Sequence, residues 1–124
     1  MQLQALPAFT DNYIWIVVEA GRTLVVDPGE AAPVFAAVDA GLPPPAAILL
    51  THHHDDHIGG VPGLLRRWPD LAVIAPEDAR IAQPPRRVSD GERADVDRWT
   101  FDALAVPGHT VSHIAFHGHG VLCC

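Results

Sequence analysis

The stretch Ala46-Ala-Ile-Leu-Leu50 constrains the fold of this chain more than any other. It is apolar throughout, and it follows a Pro43-Pro-Pro45 triplet that ends any helix. A short apolar run without polar alternation reads as a strand covered on both faces. Directly after it comes Thr51-His-His-His-Asp-Asp-His57-Ile-Gly-Gly60, with four histidines and two aspartates at consecutive positions. Buried strands of open α/β sheets place ligands beyond their carboxyl ends. The polar cluster therefore stands where a site is expected.

The flanking sequence fills in the layers. Gln2–Leu6 alternates weakly. Tyr13–Val18 and Thr23–Val26 are β-branched and aromatic, and Ala20-Gly21 between them suggests an antiparallel hairpin. Asp27-Pro28-Gly29 is a turn tripeptide. Ala31–Ala40 predicts a helix with Val34, Phe35 and Val38 on one face and Gly41 as its stop. Ile58–Trp68 predicts a second helix, weakened by Gly59, Gly60 and Pro62. Leu71–Ala75 predicts another buried strand, so strand, helix and strand make a βαβ unit and the class is α/β. Ala82–Asp97 is polar and rich in Pro and Arg, which reads as loop. Arg98–Val106 predicts a strand ending in the turn Val106-Pro-Gly-His-Thr110. His113–His117 and Val121–Cys124 flank Gly118-His-Gly120 as a hairpin.

There is no internal repeat or linker, and 124 residues fit one domain, 1–124. A chain of that size buries about two-thirds of its unfolded surface. At 48% hydrophobic residues, disorder is not expected. The net charge is −7 and all eight basic residues are Arg, which argues against a nucleic-acid surface. Cys123 and Cys124 are neighbours, so no disulfide framework is indicated, in keeping with a reducing, cytoplasmic setting. No basic-then-apolar leader opens the sequence, and no apolar run reaches the roughly 18 residues of a membrane span. The last residues, Val121-Leu-Cys-Cys124, are apolar. Natural domains end at the surface, so the expectation is a domain incomplete at its C-terminus.

In an extended segment residues two apart face one side, so His52 and His54 can point together, followed by Asp56 and His57. Imidazoles and a carboxylate suit zinc, iron or manganese, and the absence of sulfur argues against a closed structural zinc site. His52 and His54 can share one metal while Asp56 and His57 serve another. Two ions about 3.5–4 Å apart can activate one water and steady the oxyanion formed by its attack. The plain alternative is a solvated polar loop. For His109, in Pro107-Gly-His-Thr110, spacing alone leaves a surface residue and a fifth ligand equally open. His113, His117 and His119 read as exposed side chains, and Arg66-Arg67 and Arg86-Arg87 as solvated pairs. Asp27 reads as a turn former that can also hydrogen-bond a metal-binding imidazole.

Thr51, His52, His54, Asp56 and His57 match T-H-x-H-x-D-H, which resembles the signature of the metallo-β-lactamase superfamily. Pro7–Trp15 (PAFTDNYIW), Val26–Gly29 (VDPG), the third histidine His53, and Val106–Phe116 (VPGHTVSHIAF) narrow the resemblance to the glyoxalase II family over nearly the whole chain. Asp55 occupies a variable position of the motif. The resemblance implies an αββα sandwich, of which this chain is the N-terminal portion. It implies His52, His54 and His109 on one metal and Asp56 and His57 on a second, with Asp56 also orienting the nucleophile. The implied cofactor is Zn2+, two ions per complete site, with iron or manganese as alternatives. The implied reaction is hydrolysis of a glutathione thioester, S-D-lactoylglutathione, to D-lactate and glutathione by metal-bound hydroxide.

In the family, a bridging aspartate, a further histidine and glutathione-holding groups follow a run like Val121–Cys124. Five of seven ligands are therefore expected here, with weak metal binding and little or no turnover. An exposed last strand invites self-association. Two other readings stay open. One is a persulfide dioxygenase-like or other hydrolase of the same fold. The other is a non-catalytic metal-binding fragment.

Overall fold

The computed structural model describes residues 2–8, 12–51, 58–76, 86–88, 91–96, 98–105, 114–119 and 121–123. Among the described residues ten strands form two sheets. The first sheet holds β1 (Gln2–Ala8), β2 (Asn12–Glu19), β3 (Arg22–Val26), β4 (Pro45–Leu49), β5 (Ala72–Pro76) and β6 (Arg86–Val88), side by side in that order. The first three are antiparallel, and β3 through β6 are parallel. Helix α1 (Ala32–Asp39) crosses from β3 to β4, and α2 (Val61–Arg67) from β4 to β5. The second sheet is an antiparallel meander of β7 (Arg93–Val96), β8 (Trp99–Ala105), β9 (Ile114–Gly118) and β10 (Val121–Cys123). Among the described residues no helix is long and apolar enough to cross a membrane.

Side-chain alternation along the central strands builds two cores. Leu24, Val26, Ala47, Leu49 and Ile74 face the second sheet, where they meet Ala94, Val96, Trp99, Phe101, Ala103 and Phe116. Val25, Ile48, Leu50, Val73 and Ala75 face the opposite way and pack with Val34, Val61 and Leu64 of the helices. Strand β4 is thus buried on both sides, as its unbroken apolar run predicts. The layers are helices, six-stranded sheet and four-stranded sheet. The outer face of the smaller sheet carries exposed Thr100, Asp102, Leu104 and His117. Among the described residues no helix covers it.

Three expectations change. The loop predicted over Ala82–Asp97 contains β6 and β7. β7 alternates exposed Arg93 and Asp95 with buried Ala94 and Val96, and β6 extends the parallel sheet at its edge. The Pro and Arg content masked that period of two. Arg86 is also more than a solvated residue. Its guanidinium donates to the main-chain oxygens of Arg93 and Asp95, tying the two sheets together. Finally, the predicted second helix is broken at Gly59-Gly60: Ile58 is helical, and a separate helix runs Val61–Arg67, with Gly60 as its N-cap and Pro62 in its first turn. Proline there lacks only a donor that the first turn leaves unused, so it marks the start of the helix.

Candidate metal centre

All five proposed ligands, His52, His54, Asp56, His57 and His109, lie outside the described residues. Among the described residues no group of three or more His, Cys, Asp or Glu side chains gathers in a way that would hold a metal. The strand ends from which the segments carrying the proposed ligands depart lie within the described residues.

Segment 52–57 leaves the sheet at Thr51, one residue past the fully buried Leu50. Leu50 N–H donates to Ile74 O at 2.8 Å, and Asp27 N–H donates to Leu49 O at 2.9 Å, so the sheet ladder continues to the rim. Thr51 is then held by Asp27. Its N–H donates to Asp27 Oδ1 at 2.8 Å and its hydroxyl to Asp27 Oδ2 at 2.7 Å. Both residues are buried. Asp27 adopts φ +53°, a left-handed conformation that Asp and Asn tolerate better than other side chains. The conformation turns the chain out of β3 with the carboxyl group facing β4.

The same turn holds the far end of the segment. Gly60 N–H donates to Pro28 O at 2.7 Å. A Cβ at Gly60 would lie 2.5 Å from the carbonyl carbon of Glu30 and 2.6 Å from Pro28 O, so only glycine permits this approach. Thr51 and Gly60, which bracket residues 52–57 in the sequence, are therefore both anchored on Asp27–Glu30. Asp27 was expected to form a turn, and it does. Its carboxyl group accepts from Thr51, and its N–H donates to Leu49 O.

The second histidine-bearing segment departs from the same end of the sandwich. Arg98, just before β8, lies 3.5 Å from Glu19, which pairs with Arg22 at the opposite end of β3 from Asp27. β8 thus runs toward the Asp27 end and finishes at Ala105, paired with Ile114 at the start of β9. Residues 106–113, with His109, connect those two strands.

Of the remaining histidines, the two that are described behave as expected. His117 and His119 are exposed. His119 also has a local role: at φ +51° in the hairpin turn, its Nε2 accepts from Thr100 N–H at 3.1 Å and its ring packs edge-on to Phe101. His113 lies outside the described residues. Cys123 belongs to β10, and Cys124 lies outside the described residues.

Sequence reasoning did not foresee the roles of Thr51 and Gly60. The bonds depend on β3 and β4 being neighbours, which a linear string does not display. As for the cofactor, the donors at 52–57 are imidazole and carboxylate only, which fits a divalent transition ion. The buried Asp27 carboxyl accepts from both the N–H and the hydroxyl of Thr51, the residue that precedes that donor set.

Comparison with known proteins agrees with this architecture. Residues 8–124 match the model of the metallo-beta-lactamase superfamily. A hydroxyacylglutathione hydrolase of Stenotrophomonas maltophilia is 57% identical over 118 residues, covering 94% of this chain and 46% of the relative. One from Xylella fastidiosa is 50% identical over 125 residues, covering 100% and 48%. The chain spans about half the length of the curated relatives it matches. Among solved structures, BLEG-1 B3 metallo-beta-lactamase superposes with a TM-score of 0.81 at 20% identity, covering 94% of this chain and 66% of that one. TTHA1623, solved in a di-iron-bound form, gives 0.73 at 26% identity over 90% of this chain and 64% of that one. On the sequence match across nearly its whole length, and on a fold shared with these structures, the chain belongs to the metallo-beta-lactamase superfamily.

Proposed function

We propose that this chain is the metal-binding part of a hydroxyacylglutathione hydrolase, a thioester hydrolase acting on S-D-lactoylglutathione. The observation that carries the reading is 57% identity to a hydroxyacylglutathione hydrolase over 94% of the chain. In this reading His52, His54 and His109 hold one ion, and Asp56 and His57 hold a second. The ions are zinc, with iron or manganese as alternatives; the di-iron form of TTHA1623 supports keeping iron among them. When bound, the metal supplies Lewis acidity, making solvent nucleophilic near neutral pH and stabilising charge on the carbonyl oxygen. Asp56 orients the attacking water through its carboxylate. Water adds to the thioester carbon, the C–S bond breaks, and glutathione leaves as the thiol while lactate keeps the new oxygen.

The test is the purified chain assayed with S-D-lactoylglutathione and added Zn2+. Hydrolysis that is lost in His54→Ala supports the enzyme. A folded chain that binds metal and leaves the thioester intact identifies a metal-binding module instead. The first ion has three of these donors and the second only two, so the second is expected to be lost first and elemental analysis to return fewer than two metals per chain.

The reading also carries a cytoplasmic location and self-association through β10. Among the described residues β10 pairs with β9 alone. Leu3, Tyr13 and Trp15 on β1 and β2 are also exposed, on the face that Val17 shares. Sedimentation that stays monomeric at high concentration overturns the self-association.

A further inference from the structure

We propose that Asp27, Thr51 and Gly60 are positioning residues for the metal centre, acting by pinning both ends of segment 52–57 to one turn. The inference rests on the proposed ligands but concerns residues outside that set.

Two observations carry it. At the near end, Asp27 takes both the N–H and the hydroxyl of Thr51, at 2.8 and 2.7 Å. Two bonds from one residue to one carboxyl group fix direction as well as distance, and Thr51 immediately precedes His52. At the far end, Gly60 sits against the main chain of Pro28 and Glu30 and donates to Pro28 O at 2.7 Å. Consecutive Cα atoms are about 3.8 Å apart, so anchors one to three residues apart on a single turn lie within about 11 Å of each other. The nine Cα-to-Cα steps from Thr51 to Gly60, fully extended, would reach about 30 Å. The ends of the ligand-bearing segment are thus held well inside its free span. That constraint narrows its ensemble before any ion arrives, and ordering that is already in place does not subtract from metal affinity.

The turn itself is held by the sheet rather than by the segment. Asp27 N–H bonds to Leu49 O, and Val26 lies in register with Leu49. A change at Thr51 Oγ1 should therefore act on the segment while leaving the sheet intact.

The experiment titrates the 124-residue chain with Co2+, followed by its visible ligand-field absorption and by calorimetry. Circular dichroism and melting of the metal-free protein run alongside. Thr51→Val removes the hydroxyl bond, keeps the main-chain bond and preserves shape. It is expected to weaken Co2+ binding about tenfold or more, the range found for partners that orient metal ligands. It should also alter the ligand-field spectrum and leave the metal-free fold unchanged. Thr51→Ser restores the hydroxyl and should bring back both affinity and spectrum. Gly60→Ala should weaken binding further.

Thr51→Val with wild-type affinity and spectrum overturns the proposal while the metal-centre reading stands. So does a loss of affinity that Thr51→Ser fails to restore. A wild-type chain that binds no Co2+ overturns both.

Discussion

Strand β4 and strand β8 sit in facing sheets and share one core, yet their sequences follow different rules. β4 and the residue after it bury Ala47, Ile48, Leu49 and Leu50 completely, two toward each side. β8 buries Trp99, Phe101 and Ala103 and leaves Thr100, Asp102 and Leu104 exposed. The difference is what covers the outer face. Helices α1 and α2 lie over the six-stranded sheet, so Ala47 to Leu50 on its central strand are removed from water. Nothing among the described residues lies over the four-stranded sheet, so its strands alternate. The doubly covered strand is also the one that delivers Thr51 to the rim. The segment that carries four of the proposed ligands therefore follows directly on a strand buried from both sides.

The largest test of that contrast is a charge. Aspartate at Ile48 or at Leu49 places a carboxyl group in one core or the other with no partner, at a cost of several kcal/mol against a total stability of about 5–15. Both variants are expected to lose cooperative folding, seen as the loss of a sharp thermal transition. Leu104→Asp, at a position 42% exposed, should melt within a few degrees of the parent chain. If Leu49→Asp folds normally, the inter-sheet side of β4 is not the closed core described.

A smaller effect comes from truncation inside the shared core. Phe101 is 1% exposed and meets Phe116 edge-on, with centroids 6.5 Å apart. Phe101→Ala is expected to cost about 3–5 kcal/mol in urea denaturation. Thr100→Ala, next door on the exposed face, should cost about 1 kcal/mol, because its hydroxyl bond to Asp95 at 2.7 Å is exposed. Equal losses at the two positions would mean that the outer face of the smaller sheet is covered.

This asymmetry explains what could be read from the string. An apolar run such as Ala46–Leu50 announces itself, and so does the βαβ order around it. The hairpins of β2–β3 and β9–β10 follow from β-branched runs broken by short Gly turns. β6 and β7 were hidden because short edge strands carry few apolar residues. Arg86 and Arg87 look like solvent-facing residues until the main-chain oxygens of β7 are placed beside Arg86. The proposed ligands were legible as a cluster of donors. Their anchors were not, since Asp27 and Thr51 are 24 residues apart and meet only once β3 and β4 pair. Gly60 looked like a weakness in a helix, whereas its missing side chain is what lets the segment close against Pro28 and Glu30.

The smallest prediction concerns how the covering helices hold each other. Arg67 of α2 reaches Asp39 of α1 at 3.2 Å, and its guanidinium also lies 4.6 Å from the ring centroid of Trp68 and 5.1 Å from that of Phe35. The ion pair is 41% and 69% exposed, so solvent and salt screen it, and such pairs contribute about 0–1 kcal/mol. Stacking on two rings that themselves pack at 5.8 Å adds dispersion and cation–π attraction of about 0.5–1 kcal/mol, and salt weakens it less. The rings should therefore matter more than the carboxylate. Asp39→Ala is expected to cost a few tenths of a kcal/mol, fading in high salt. Arg67→Ala should cost about 1 kcal/mol and keep most of that loss in salt. Arg67→Lys should resemble the alanine variant more than the parent, because an ammonium lacks the flat face that lies over Trp68. A double-mutant cycle in which the Arg67–Asp39 coupling accounts for the whole Arg67→Ala loss would reverse that order and make charge the principal tie between the two helices.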